Sequence, residues 1–315
     1  MTDQRDVAAS ATDGAGVVTD PEEAPEAPAD GADGPPVASG DEGPGIRSSR
    51  RASLEAFRAL LLRDLYVLRK DLKQFLPRTI MQPVLLMFVF TYVFPKIGQG
   101  PVADAGEQFS TVLVAGVVAL SMLFQGIQAV ALTLVNEFGT TKEIEDRVLA
   151  PIPVAWVAVQ KVATGALNAL FAAAIVFPVA AVVPATDVRL DVSWPVLVTL
   201  LPLAAVMSAA LGLTFGTFFE PRQVSILFGI IILPITFLGG IYYPWTALDP
   251  IEIAGVPWLK ILVLANPLLY VCEGLRAALT SVDHMSLVAV YPALVGFTAL
   301  FLWRGIAGFR RRVLT

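Results

Sequence analysis

Seven apolar side chains, Leu54, Phe57, Leu61, Leu65, Leu68, Leu72 and Phe75, recur at steps of three or four along an otherwise basic stretch. At 100° per residue they gather into one narrow stripe, so residues 47–78 predict an amphipathic helix, with Pro77 ending it. Beyond it the periodicity gives way to unbroken apolar runs. Six of them, near residues 80–94, 109–135, 154–183, 195–219, 224–243 and 286–303, predict helices that cross a bilayer core of about 30 Å. The first is short, but Arg78 and Lys96 at its flanks can snorkel. The pattern is that of an all-α integral membrane protein: six transmembrane helices in residues 79–315, preceded by the interfacial helix. Residues 244–285 are too apolar for an ordinary loop, yet their pieces 258–264 and 265–279 are each shorter than a span. Pro267 after Asn266 is a helix start, and Glu273 and Arg276, three apart, are close enough to pair. Short re-entrant helices before the last span are expected there, buried in protein or lining a cavity because lipid cannot satisfy irregular backbone.

Composition agrees, with 56% hydrophobic and 16% charged residues, outside the range of ordinary soluble domains. The net charge of -5 is misleading, since eleven acids precede Ile46 with only Arg5 among them. Residues 1–46 are Ala, Pro, Gly, Asp and Glu with almost no large apolar side chain, which predicts a disordered acidic tail without a signal peptide. The interfacial segment reverses the sign: Arg63, Arg69, Lys70 and Lys73 are among nine cations facing only Glu55, Asp64 and Asp71. Such a helix lies with its stripe in the membrane and its cations toward anionic lipid headgroups or a cytoplasmic partner. Lys and Arg accumulate on the cytoplasmic side of spans. With the amino terminus inside, sixteen cations fall on that side and four, Lys96, Arg189, Lys260 and Arg276, outside. Both termini are therefore expected in the cytoplasm. A preference for Ala, Val and Arg over Lys points to a G+C-rich bacterial genome, hence a bacterial plasma membrane.

One cysteine, Cys272, and one histidine, His284, exclude an intramolecular disulfide and a His-rich metal site. Apart from Lys161 near a span end, no ionisable residue falls inside a predicted span, which disfavours proton coupling. Gln125, Gln128 and Asn168 are the polar side chains at depth, suited to hydrogen bonds between helices, and Gly212 and Gly216 have small-xxx-small spacing. The chain has no phosphate-cradling G-x-x-x-x-G-K-[ST] loop, so energy from ATP requires a separate subunit. Residues 136–153, NEFGTTKEIEDRVLAPIP, form the largest cytoplasmic loop. Thr140 followed three residues later by Glu143 signals a short helix starting at Thr141. Ile144 and Val148 give it a small apolar face ringed by Lys142, Glu143, Glu145, Asp146 and Arg147, a knob suited to a groove on another protein or to the bilayer surface.

The order of these features, with EFGTTKEIEDRVLAPIP between the second and third spans and ANPLLYVCEGLRAAL before the sixth, resembles the type-2 permeases of ATP-binding-cassette exporters, including the daunorubicin-resistance and polysaccharide-export branches. The resemblance covers residue 47 to the carboxyl end. It implies that residues 137–151 hold the coupling helix that receives motion from the ATPase, with Glu137, Thr140, Thr141, Glu143, Ile144, Glu145, Asp146, Arg147 and Val148 as its contact set. It implies that residues 266–279 form an external re-entrant gate, with Asn266, Pro267, Tyr270, Glu273 and Arg276 as its residues. It further implies two ATP-binding subunits and a second permease chain, identical or paralogous, with ATP and Mg held on the partner, no cofactor on this chain and no nucleic acid. The cargo would be a hydrophobic drug, a lipid-like molecule or a glycan. Two readings from other classes stand beside it: an ATP-independent channel or facilitator, and a membrane-embedded lipid-modifying enzyme using Glu273, Asp283 and His284.

Overall fold

The computed structural model describes residues 49–70, 72–97, 103–138, 154–183, 188, 190–219, 223, 227–251 and 256–314. Helix α1 spans Ser49–Lys70. Helix α2, Leu72–Phe88, continues through a π-helical turn, Val89–Val93, into Phe94–Lys96. Then follow α3 (Ala103–Asn136), α4 (Val154–Val182) and α5 (Trp194–Phe218). A π-helical turn Leu227–Ile232 leads into α6 (Leu233–Phe237), and α7 (Trp258–Leu262), α8 (Pro267–Leu279) and α9 (Leu287–Leu314) complete the chain. Five helical stretches are long and apolar enough to cross a membrane: Phe75–Lys96, Phe109–Asn136, Val154–Ala180, Trp194–Phe218 and Leu287–Val313. They coincide with five of the six expected spans, so the chain is an all-α multi-pass membrane protein.

The remaining span, expected over 224–243, is helical among the described residues only over Leu227–Phe237 and proceeds through turns to Tyr243. At 1.5 Å per residue that helix reaches only about 16 Å. Its neighbours nevertheless show the chain travelling lengthwise. Arg312 Nη1 donates to the Phe219 carbonyl at 3.0 Å, beside the C-terminal ends of α5 and α9. Ile241 lies against Gly116, which is about 30 Å up α3 from Asn136 at the helical rise. Among the described residues the chain thus travels along the bundle between Phe219 and Ile241, with its helix ending at Phe237 and turns following. A bent helix pair lies beyond it, where Trp258–Ala265 and Pro267–Leu279 meet at a 96° bend. By length and composition this pair is either one broken span or a re-entrant loop, and it falls on the short apolar pieces 258–264 and 265–279.

Helix α3 is the central helix, almost wholly enclosed by the rest of the chain. Apolar burial gains little when the solvent is lipid, so close packing and hydrogen bonds hold such bundles. The helices meet through small residues. A Cβ on Gly212 would stand 2.9 Å from Ile127 Cα, and one on Gly126 2.6 Å from Ser208 Cβ. The spacing of Gly212 and Gly216 therefore does mark a close approach, with Gly216 against Ala131 and Leu134. These pairings make α3 and α5 parallel, and Gly305 and Gly308 against Leu213 and Thr217 align α9 with them. Helix α4 runs antiparallel, with Gly165 facing Gly126 and Val130. Buried hydroxyls of Ser121, Ser208, Thr217 and Thr298 donate to the carbonyl four residues back, so they cost little at depth.

The interfacial segment differs from expectation in one respect. Pro77 lies inside α2 rather than ending the interfacial helix. Near a helix start, proline's missing N–H removes only the bond to the carbonyl of Lys73, whose own side chain is exposed. The face assignment holds where side chains are described: Arg63, Arg69, Lys70 and Lys73 are exposed, while Leu61, Leu68, Leu72 and Phe75 are half-buried. Residues 1–48, including the whole of the acidic tail, lie outside the described residues.

Candidate coupling and gating sites

The parallel order of α3, α5 and α9 brings their C-terminal ends together with the N-terminal end of α4, the end from which loop 136–153 departs. Of the loop residues singled out, Thr140, Thr141, Glu143, Ile144, Glu145, Asp146, Arg147 and Val148 lie outside the described residues. Glu137, which opens the loop, is described and buried. The Lys161 ammonium stands 2.5 Å from its Oε1, with both side chains almost fully enclosed. Next to Glu137, the Phe138 ring packs on Phe309, and the Arg312 guanidinium sits 4.7 Å from the Phe138 ring centre. The same guanidinium donates to the carbonyls of Gly216 at 3.1 Å and Phe219 at 3.0 Å, which the end of α5 leaves without helical partners. The start of the loop is thereby fastened to α4, α5 and α9.

One residue away from Lys161, a second polar contact reaches the interfacial helix. Gln160 Nε2 donates to Asp64 Oδ2 at 2.6 Å, and Thr164 Oγ1 donates to the same oxygen at 3.0 Å. Asp64 is the acid of α1 that the charge pattern treated only as a minority among cations. A usable signal was present in the sequence. Asp64 stands three residues after Leu61 and four before Leu68, so it belongs to the apolar stripe, where an acid requires a partner.

At the far end, α8 is core rather than a flap: twelve of its thirteen residues are buried. Asn266 caps it, its Oδ1 accepting from the Leu268 N–H at 3.0 Å while its amide donates to the Ile235 carbonyl at 2.7 Å. Pro267 occupies the first turn, and Tyr270 donates its hydroxyl proton to the Leu264 carbonyl at 2.9 Å, tying the two halves of the bent pair. Glu273 and Arg276 do pair, with Nη1 2.7 Å from Oε1, and neither has any exposed surface. The Glu273 carboxylate also accepts from the backbone N–H of Trp245 at 2.8 Å and of Met285 at 2.7 Å. Arg276 donates to the carbonyl of Gly240, a residue whose φ of 69° favours glycine. Arg276, grouped by sequence with the outer-side cations, is therefore an internal strut.

Between the two ends, Thr79, Gln82, Ser121, Gln125 and Gln128 line a small recess between α2 and α3. Gln125 Nε2 donates across to Thr79 Oγ1 at 2.8 Å, a bond between helices as expected. Asn168 instead donates to the Thr164 carbonyl of its own helix at 2.9 Å. The acid–histidine trio of the enzyme reading does not assemble, because Glu273 is enclosed and its oxygens are engaged, while Asp283 and His284 are exposed. Among the described residues no group of three His, Cys, Asp or Glu side chains is placed to hold a metal ion.

This arrangement of spans, loop and bent helix pair has relatives. The family model "ABC-2 type transporter" matches residues 55–280, from α1 through α8. The chain is 25% identical over 228 residues to proteins named inner membrane transport permease YadH in Escherichia coli (strain K12) and in Shigella flexneri, a match covering 71% of this chain and 84% of each relative. With residues 55–280 matched, well over half of the chain, this protein belongs to the ABC-2 type transporter family and is a transmembrane permease component.

Proposed function

We propose that the chain is the permease of an exporter driven by a separate ATP-binding subunit, with two ATPase copies and two permease chains, this one with itself or with a paralogue. ATP and Mg are held by the partner, and this chain supplies the path and the coupling surface. Both termini face the cytoplasm of a bacterial plasma membrane, which places loop 136–153 where a soluble ATPase can reach it. The cargo is a hydrophobic drug, a lipid-like molecule or a glycan, and family membership leaves the choice open because fold does not fix cargo.

The observation that carries this reading is the anchoring of Glu137 and Phe138. A loop that received force and ended in a frayed helix would dissipate it, whereas here its first two residues are clamped by Lys161, Phe309 and Arg312. Force applied at Glu143 to Val148 is delivered to α3 and α4. The amphipathic α1 slides with its cations at the lipid surface, and tilting of the spans opens a path past α8 toward the outer face. Lipids contact α1 and the outward faces of α2 and α9, and no nucleic acid is involved.

The test is Ile144→Asp, which removes the apolar centre of the loop's contact face. The variant is expected to insert and fold but to lose permease-dependent ATP hydrolysis by the partner. Hydrolysis equal to that of the unaltered complex would refute the coupling role of the loop.

A further inference from the structure

Gln160 and Lys161 are consecutive on α4, so their side chains leave the helix about 100° apart and reach different neighbours. Gln160, fully buried, points to α1 and meets Asp64, with Thr164 one turn on adding a second bond to the same carboxylate oxygen. Lys161 points to the end of α3 and meets Glu137. Both contacts are polar, whereas most of the packing between α3, α4 and α5 is apolar contact and close glycine approach. They are also costly where they stand, since buried polar and charged groups are tolerated only when matched in geometry and hydrogen bonding. A carboxylate on the apolar stripe of an otherwise basic helix is a liability unless it fixes that helix to something. Here it fixes α1 to the very turn of α4 that also holds the start of the loop.

We propose that this turn of α4 is a rigid joint that makes the interfacial helix and the start of the coupling loop one moving body, with Asp64, Gln160 and Lys161 as positioning residues for energy coupling. The inference rests on the coupling role proposed for loop 136–153, and adds that the loop does not act alone. Motion received by the loop reaches α1 through α4, and a permease whose joint is cut binds its ATPase but does not regulate it. None of the three residues touches nucleotide, so the KM for ATP is unaffected while the permease-dependent part of kcat falls.

The test uses the purified complex with its ATPase in lipid nanodiscs. In Asp64→Cys/Thr164→Cys the hydrogen bonds are gone, and permease-dependent hydrolysis is expected to fall about tenfold, within the range for coupled contacts. Bridging the two cysteines with a short bis-methanethiosulfonate is expected to restore it, because a joint can be covalent. Cys272, the only native cysteine, is fully buried and out of the reagent's reach. Loss that persists or deepens after bridging would overturn the proposal, since it would mean that α1 and α4 must move against each other. Lys161→Glu is expected to uncouple in the same way and to be rescued by Glu137→Lys in the same chain, whereas the conservative Lys161→Arg by itself is expected to keep coupling. Uncoupling of Lys161→Glu that Glu137→Lys does not rescue, or uncoupling by Lys161→Arg, would equally contradict a positioning role. Failure of the underlying reading has a separate signature: the unaltered complex would show no permease-dependent hydrolysis, or no ATPase would accompany the chain.

Discussion

Glu273 and Arg276 stand one turn apart on α8 with no exposed surface on either, and the carboxylate collects backbone donors from Trp245 and Met285 besides the guanidinium. Three segments separated in sequence are thus pinned by one side chain. Removing one member of a buried pair strands the other charge, at a typical cost of about 3–5 kcal/mol. Glu273→Ala and Arg276→Ala are each expected to lower the melting temperature of the detergent-solubilised protein sharply. Glu273→Gln combined with Arg276→Met is expected to cost less than either alanine change alone. Exchanging the two residues is expected to fail, because an arginine at 273 cannot accept from the Trp245 and Met285 N–H groups. Melting curves for the variants in one detergent decide the matter.

The outer turns depend on backbone as well as charge. A Cβ on Gly116 would stand 2.3 Å from the Ile241 carbonyl oxygen, whereas one on Gly296 meets nothing within 4 Å. Gly116→Ala should therefore unseat the turn that follows the fifth crossing, with reduced yield of folded protein, and Gly296→Ala should be neutral. Gly240→Ala places a side chain at a φ of 69° and is expected to destabilise by roughly 1–2 kcal/mol. Fluorescence-detected size exclusion of the three variants separates these outcomes, and equal behaviour of Gly116→Ala and Gly296→Ala would contradict the packing account.

The proposed orientation rests on the cation count and is open to a direct check. Ser281 and Arg310 are exposed at opposite ends of the bundle. Ser281→Cys is expected to react with a membrane-impermeant maleimide on intact cells, and Arg310→Cys only after permeabilisation. The reverse pattern would invert the whole topology, placing loop 136–153 out of reach of a cytoplasmic ATPase.

The spans were legible because unbroken apolar runs leave no alternative to membrane burial, and Asn266 was legible because a residue before proline that also accepts a hydrogen bond is a helix cap. The Glu273–Arg276 pair was legible from its spacing alone. Its burial was not, since the partners that enclose it, Gly240, Trp245 and Met285, are distant in sequence and no local pattern ties them to α8. The turns over residues 238–243, inside an expected span, were hidden for a related reason: an apolar run states where a chain lies, not where its helix ends. Asp64 was readable in principle from its place on the stripe, but the sum of charge on that helix drew attention to the cations. Lys161 and Glu137 each sit near a span end, and only the antiparallel docking of α3 and α4 makes them partners.

A separate ATPase that energises this permease has to be bound to it in the membrane. The most direct measurement is purification of the tagged chain from its native membrane in mild detergent, with mass spectrometry of whatever accompanies it. The expected result is stoichiometric recovery of an ATP-binding subunit carrying its own phosphate loop, lost or weakened in Ile144→Asp. Recovery of the chain alone, under conditions that preserve known permease–ATPase complexes, together with flux that follows the gradient without ATP, would contradict the account and favour a facilitator.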